Sequence, residues 1–242
     1  MSLSGRKALL TGAGGGIGRE IAIALAKAGV KTVLFGGNNL ANLTETEKLV
    51  NENGGECFVL AGNLTDDKFI EDGFDKAVAF LGGLDILINN AGMAFNADFD
   101  KTAIEIYDKI MNINARVPYL LTQHALSNLE KSDRASVINI ASVVSHAGYP
   151  YQSAYTASKH ALLGFTKSLA QEVFEKGIRV HAISPGGVYT DMIKIARPDL
   201  TSDGMIMPKD VAETVMFLLN NRTNAVIDEV IMHRSGKTPF LV

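Results

Sequence analysis

Residues Thr11-Gly12-Ala13-Gly14-Gly15-Gly16-Ile17-Gly18 follow the short apolar segment Ala8-Leu9-Leu10 and precede Ile21 to Ala28, a run rich in Ala, Leu and Ile that stops at Gly29. The order is strand, glycine turn, helix. Glycines let the backbone come close to a pyrophosphate, and the amides of the helix's first turn face it with the positive end of the dipole. Alone, such a cluster is also what an ordinary tight turn looks like. The spacing is more discriminating. A literal G-x-G-x-x-G fails, since Ile17 and Ile21 stand where its last glycine should be, whereas T-G-x-x-x-G-x-G fits.

Working outward, strand-like and helix-like segments take turns along the chain, the mark of parallel βαβ units. Strands are expected at Lys7–Leu10, Thr32–Phe35, Glu56–Leu60, Asp85–Ile88, Ser136–Ile140, Arg179–Ile183 and Ala225–Ile231, with helices between them. Two long helices are expected over about 103–129 and 153–176. The longest irregular piece runs from Gly186 to Pro208 with Pro198 and Gly204 inside it, and a stretch that long in a compact domain reads as a lid or binding loop. No internal repeat or low-complexity linker appears, and one domain over 1–242 is expected.

Tyr155-Thr-Ala-Ser-Lys159 sets a phenol and an ammonium about one helical turn apart on one face. A free tyrosine titrates near pH ~10, so acid/base work at neutral pH needs about 4 kcal/mol of preferential phenolate stabilisation, and a neighbouring lysine is one source of it. The same spacing is common on solvated helices, so the pair needs company. Ser142 supplies some, because it follows the apolar run Val137 to Ala141 and its hydroxyl should emerge at a strand's carboxyl edge, where open α/β sheets bind ligands.

The T-G-x-x-x-G-x-G turn, Asn89-Asn90-Ala91-Gly92 after the strand at 85–88, Ser142 thirteen positions before Tyr155, and Pro185-Gly186 after another apolar run stand in one order. In that order they resemble the short-chain dehydrogenase/reductase family over nearly the whole chain, including its 3-oxoacyl-carrier reductase branch. The resemblance implies a single-domain Rossmann fold: a doubly wound, seven-stranded parallel sheet with helices on both faces. It implies catalytic roles for Ser142, Tyr155, Lys159 and Asn114, with Asn112 as the alternative asparagine. Tyr155 would give its proton to a carbonyl oxygen that Ser142 bonds, Lys159 would lower the tyrosine's pKa and hold the cofactor ribose, and Asn114 would support a proton-supplying water chain. Gly12, Gly14, Gly15, Gly16, Ile17 and Gly18 would cradle the dinucleotide. Asn90, Ala91, Gly92, Pro185 and Gly186 would line it, with Thr190 and the backbone of Val188 on the nicotinamide carboxamide. The implied activity interconverts a carbonyl and a secondary alcohol. An epimerase or dehydratase on the same fold and a nucleotide-binding sensor without turnover are the rivals, and the complete Ser-Tyr-Lys set weighs against the sensor.

Cofactor choice departs from the simple patterns. No acid occurs between Glu20 and Glu45, so the carboxylate that bonds the ribose diol and repels a 2′-phosphate is missing. The arginine common in NADP-binding members is missing too: Gly37 stands there, and Gly15 replaces a basic residue in the glycine turn. NADP(H) is favoured, with Asn38, Asn39 and open backbone amides around Gly37 accepting the phosphate, and NAD(H) is the alternative. Asn63 replaces the family's common aspartate beside the adenine, while Leu64 keeps a backbone contact.

The remaining chemistry is bounded by composition. With 242 residues, 47% hydrophobic content and net charge -3, the chain can bury one large core and has no basic run for nucleic acid. Val30 to Thr44, the longest nearly uncharged run, is rich in Gly and Asn and is no membrane span. The lone Cys57 and the lack of an apolar N-terminal signal fit a reducing cytoplasm. The histidines at 124, 146, 160, 181 and 233 show no metal-binding spacing, and His160 reads as a packing or surface residue. Met192, Met205 and Met207 fit either a pocket lining or the core. Phe240, Leu241 and Val242 fit a subunit contact or a frayed tail. A dimer or homotetramer is expected from the resemblance, through the two long helices and residues such as Tyr119, Leu120, Leu121, Leu162, Leu163 and Phe165.

Overall fold

The computed structural model describes residues 2–196 and 201–238. Strands β1 (Lys7–Thr11), β2 (Lys31–Phe35), β3 (Cys57–Leu60), β4 (Ile86–Asn89), β5 (Ser136–Ile140), β6 (Arg179–Pro185) and β7 (Glu229–Met232) form one parallel sheet in the order β3-β2-β1-β4-β5-β6-β7. The expected seven-stranded architecture is therefore present. Its helices are α1 (Gly16–Lys27), α2 (Leu40–Glu52), α3 (Asp67–Leu81), α4 (Ile104–Met111), α5 (Val117–Leu129), α6 (Ser153–Val173), α7 (Asp191–Ala196) and α8 (Pro208–Asn220).

The strands read as unbroken apolar runs because both sheet faces are covered. Their period of two divides the core. Ala8, Leu10, Ile86, Ile88, Ile138 and Ile183 pack with Ile21 and Leu25 of α1 and Val215 of α8. Leu9, Val33, Leu87, Val137 and Val180 point the other way, onto α3, α5 and α6 through Phe74, Leu121 and Leu169. Winding runs outward from β1 through β2 to β3, then returns to place β4 on the other side of β1. A crevice opens at such a reversal, and the loops after β1 and β4 both end there.

Several boundaries differ from the sequence expectation for identifiable reasons. Helix α1 begins at Gly16, well before Ile21, because the last glycines of the turn already belong to its first turn. The seventh strand starts at Glu229 instead of Ala225: the His181 ring bonds the Ile227 carbonyl at 2.7 Å, and the first β6–β7 pair is Ala182 with Glu229. The helix expected over 103–129 is interrupted by a π turn at Asn112–Arg116. Pro118 lacks the N–H that would bond the carbonyl of Asn114 four residues back, so the helix widens there. The helix expected to reach 176 ends at Val173 and tightens into a 3-10 turn closed by Gly177. The stretch after Gly186 is not wholly irregular, since it contains α7 and a bridge between Val188 and Ile206. Pro198 and the tail residues Phe240, Leu241 and Val242 lie outside the described residues, as does the side chain of Met192. Of the apolar residues expected at a subunit contact, Leu121, Leu162 and Leu163 are buried within this chain, whereas Tyr119 is exposed and stacks near Phe165.

Two glycines of the first turn differ in what they do for the fold. A methyl group built at Gly18 would lie 2.2 Å from the Gly12 carbonyl oxygen, whereas one at Gly15, whose φ of 177° is ordinary extended backbone, meets nothing within 4 Å. Gly18→Ala should therefore cost about 1–3 kcal/mol in urea unfolding. Gly15→Ala should stay within about 1 kcal/mol of the parent; equal losses in the two variants would contradict this assignment.

Candidate active site

The site is a cleft of about 1920 Å³ along the carboxyl edge of the sheet. Its floor is made where β1 and β4 meet. Thr11 Oγ1, fully buried, accepts the backbone amides of Asn90 and Ala91 at 3.0 Å each. The Asn90 side chain donates to the carbonyls of Thr11 and Gly12 at 2.9 and 3.1 Å. A methyl at Gly12 would stand 2.8 Å from Ala91 Cα, so only glycine lets the two loops touch. Asn90 and Ala91 thus fix the glycine turn as well as lining the cleft, a role that the motif alone does not reveal.

Apart from Asn39, the residues expected to touch a dinucleotide line this cleft, from Gly12, Gly14, Gly15, Gly16, Ile17 and Gly18 through Gly37, Asn38, Asn63, Leu64, Asn90, Ala91 and Gly92 to Pro185, Gly186, Val188 and Thr190. The fit of a dinucleotide phosphate can be judged from α1. No side chain caps its N-terminus and no acid sits in its first turn, so the amides there face open space beside Gly15. Thr190 comes down on the same turn, its methyl 3.1 Å from where a Gly16 side chain would be.

Around β2 and β3 the expectation needs correcting. Gly37 pairs with Gly62, its N–H donating to the Gly62 carbonyl at 2.9 Å, so that amide is not free for a phosphate. Asn39 does not line the cleft; its side chain accepts the Asn42 amide at 3.1 Å and caps α2. The Asn63 oxygen is likewise taken by Thr65, from its amide at 3.0 Å and its hydroxyl at 2.9 Å, which leaves its NH₂ for a ligand. A cation that sequence reading missed stands nearby: Arg19, bonded to the carbonyls of Gly14 at 2.8 Å and Asn42 at 3.3 Å and to Thr46 at 3.0 Å. Among the described residues lining this end none is acidic.

At the other end Ser142, Tyr155, Lys159 and Asn114 converge. Ser142, two residues beyond β5, caps a 3-10 turn by accepting the Val144 amide at 3.3 Å and donates to the Pro185 carbonyl at 3.4 Å. It also faces the Tyr155 phenol. Lys159 is buried; its Nζ donates to the Ile140 carbonyl at 2.7 Å and lies 5.8 Å from the Tyr155 ring centre. Asn114 is fully buried in the π turn. Its oxygen accepts the Met93 amide and its NH₂ donates to the Met93 carbonyl, both at 2.8 Å, and to Ser158 Oγ at 2.9 Å. Ser158 in turn donates to the Tyr155 carbonyl at 2.7 Å. The side chain of Asn114 therefore ties the strand-β4 loop to the tyrosine's helix. Ser158 was visible in the sequence only as a member of the Tyr-Lys motif. Asn112, the alternative asparagine, is not among the cleft-lining residues and lies beside a separate groove with Tyr119 and Phe165.

Burial governs the electrostatics here. The Tyr155 phenol is pushed above its ordinary value by desolvation, with the Ser142 hydroxyl pulling the other way, and Lys159 is held down to about 8 by burial. The expected lowering of the tyrosine by its lysine is not what dominates, because burial disfavours both charges and Lys159 gives its hydrogen bond to a backbone carbonyl. Of the other sequence candidates, Met205 lines the cleft, Met207 does not, and His160 is exposed with its ring bonded to the Thr156 carbonyl. Among the described residues no group of three or more His, Cys, Asp or Glu could hold a metal, and no helix is long and apolar enough to cross a membrane.

Residues 6–201 match the family model described as short chain dehydrogenase. The 3-oxoacyl-(acyl-carrier-protein) reductase FabG of Aquifex aeolicus is 30% identical, covering 98% of both chains. The 2-dehydro-3-deoxy-D-gluconate 5-dehydrogenase of Bacillus subtilis is 34% identical, over 97% of this chain and 95% of that one. A crystal structure of a metagenomic short-chain oxidoreductase in complex with NADP superposes with a TM-score of 0.85 at 28% identity, covering 98% of this chain and all of the other.

The buried lysine sets a pH signature. Its folded-state pKa of about 8 lies below the 10.5 of an ordinary lysine, so between those values the unfolded chain binds the extra proton and stability rises with pH. Relative to Lys159→Met, the parent protein should gain on the order of 3 kcal/mol in urea unfolding from pH 7 to pH 10. Parallel pH curves for the two proteins would show that the ammonium is not desolvated.

Proposed function

The chain belongs to the short-chain dehydrogenase family, and we propose that it is an NADP(H)-dependent oxidoreductase that interconverts a ketone and a secondary alcohol. The single observation that carries this reading is the convergence of Ser142, Tyr155 and Lys159 at the mouth of a cleft whose other end is the open first turn of α1. When bound there, the dinucleotide supplies or accepts a hydride. Tyr155, kept protonated at neutral pH by its burial, gives its proton to the carbonyl oxygen, and the Ser142 hydroxyl donates to that oxygen as negative charge develops. Lys159, largely protonated at pH 7, stabilises the phenolate left behind and donates to the ribose. Asn114 holds the Met93 segment and, through Ser158, the tyrosine's helix; a proton-supplying water chain would meet its backbone carbonyl, because its side chain is engaged.

NADP(H) is favoured by the wall of Asn38, Asn42 and Arg19 without a carboxylate at the adenosine end, and by the NADP complex of the 28% identical oxidoreductase. The names of two near-full-length relatives support two substrate classes, a 3-oxoacyl group on a carrier and a free sugar acid. Both classes present a ketone. A cytoplasmic location agrees with the lone, half-buried Cys57, whose thiol is pushed up to about 11 by burial and is unreactive. A homo-oligomer, dimer or tetramer, is supported by exposed Tyr119 and Ile104 on the helices flanking the π turn.

Tyr155→Phe should lower kcat for NADPH-driven ketone reduction by about 10³-fold or more while NADPH affinity stays within about twofold. A panel containing the N-acetylcysteamine thioester of acetoacetate and simple oxo acids, followed by absorbance of the reduced nicotinamide, supplies the substrate. An active phenylalanine variant would remove the assigned acid. NADPH should be preferred to NADH by about tenfold or more in kcat/KM, and Arg19→Ala should shrink that ratio; a preference for NADH would reverse the cofactor assignment.

A further inference from the structure

Beyond β7 the chain turns through His233, Arg234 and Lys237 along the rim of the cleft. In register, Pro185 pairs with Met232, and the Gly186 amide donates to the Met232 carbonyl at 2.8 Å, so Arg234 lies directly beside the loop that follows β6. A side chain at Gly187 would come within 3.6 Å of Arg234 Cδ and 3.8 Å of its Nε. Gly187 is two residues past Pro185, whose carbonyl accepts the Ser142 hydroxyl. The guanidinium therefore stands beside the loop that leaves the reacting end of the cleft.

Its only side-chain partner among the described residues is the thioether of Met205, at 3.2 Å. A thioether is a weak acceptor, and it leaves most of the fork of N–H donors without a partner. The cleft's own acids do not compensate it: Asp98 is paired with Lys101, and Asp191 with Lys194. A half-buried arginine beside a reaction centre, without a carboxylate, is matched geometrically by an oxyanion that takes two of its donors. The flexible Met205 side chain can yield to it.

We propose that Arg234, with His233 and Lys237 beside it, binds an oxyanion of the substrate, so that the molecule turned over carries a carboxylate or phosphate a few atoms from its carbonyl. This rests on the ketone-reductase reading and divides it, placing free anionic oxo compounds ahead of carrier-bound thioesters, which have no charge at that distance.

The test reads binding separately from turnover. Quenching of the reduced-nicotinamide fluorescence is titrated in the NADPH-loaded Tyr155→Phe background, where turnover is suppressed, with levulinate against methyl levulinate and with dihydroxyacetone phosphate against dihydroxyacetone. At least one anion should bind about tenfold or more tighter than its neutral partner, and which pair shows it tells carboxylate from phosphate. Arg234→Gln should abolish that preference while NADPH and the neutral partners bind within about twofold of the parent, and Arg234→Lys should keep part of it. Anions that bind no tighter than their neutral partners, or a preference that survives in Arg234→Gln, would overturn the proposal. A preference without oxidation of NADPH by any ketone when Tyr155 is intact would instead overturn the reductase reading and leave the anion site standing.

Discussion

A single hydroxyl organises the cleft. Thr11 closes β1, and by accepting two successive amides of the segment after β4 it fixes the width of the crevice that the reversal of winding opens. The glycine turn hangs from the same point: with Ala91 pressed against Gly12, the turn must rise steeply into α1, and its amides must face outward. With no capping side chain on α1, the turn is held through its carbonyls instead, Gly12 by Asn90, Ala13 by Thr46 and Gly14 by Arg19. A polar ladder continues this knitting inward. Asn89 bonds Asn139 on β5 at 2.8 Å, Asn139 bonds Thr166 on α6 at 2.8 Å, and both asparagines are buried. Buried polar chains of this sort cost stability when one member is lost, and they hold the strands and the tyrosine's helix in one register.

The reacting end works against folding. Lys159 and Tyr155 share a wall of the cleft where burial disfavours both charged forms, so the arrangement carries unfavourable desolvation that the surrounding apolar core offsets. That burial is also what makes the groups useful, because a proton donor and an ammonium act more strongly on a developing oxyanion where water is excluded.

Most of the architecture was legible because it depends on local order and period. Unbroken apolar strands and a glycine turn followed by a helix identify a parallel sheet, and the motif order places the site at its carboxyl edge. What could not be read depends on contacts between distant segments. Asn39 looked like a phosphate ligand and is a helix cap; Gly37 looked open and is paired with Gly62. Arg19 sits on the far side of the glycine turn in sequence, and only the fold of α1 against α2 brings it to the cleft. The late start of the seventh strand follows from a single ring nitrogen of His181, which no periodicity reports. The sign of the tyrosine's shift was misjudged because a spacing of four gives proximity and says nothing of solvent.

The π turn at Asn112–Arg116 fixes the rotation of α5 relative to α4. It holds one residue more than a regular helix would need, and that residue rotates everything after it by about 100°. Ile110 before the turn and Leu121, Ala125 and Leu129 after it are all buried with that extra residue in place. Deleting one residue from this segment would turn α5 by about 100° against α4, so Leu121, Ala125 and Leu129 could not keep their present contacts while Ile110 kept its own.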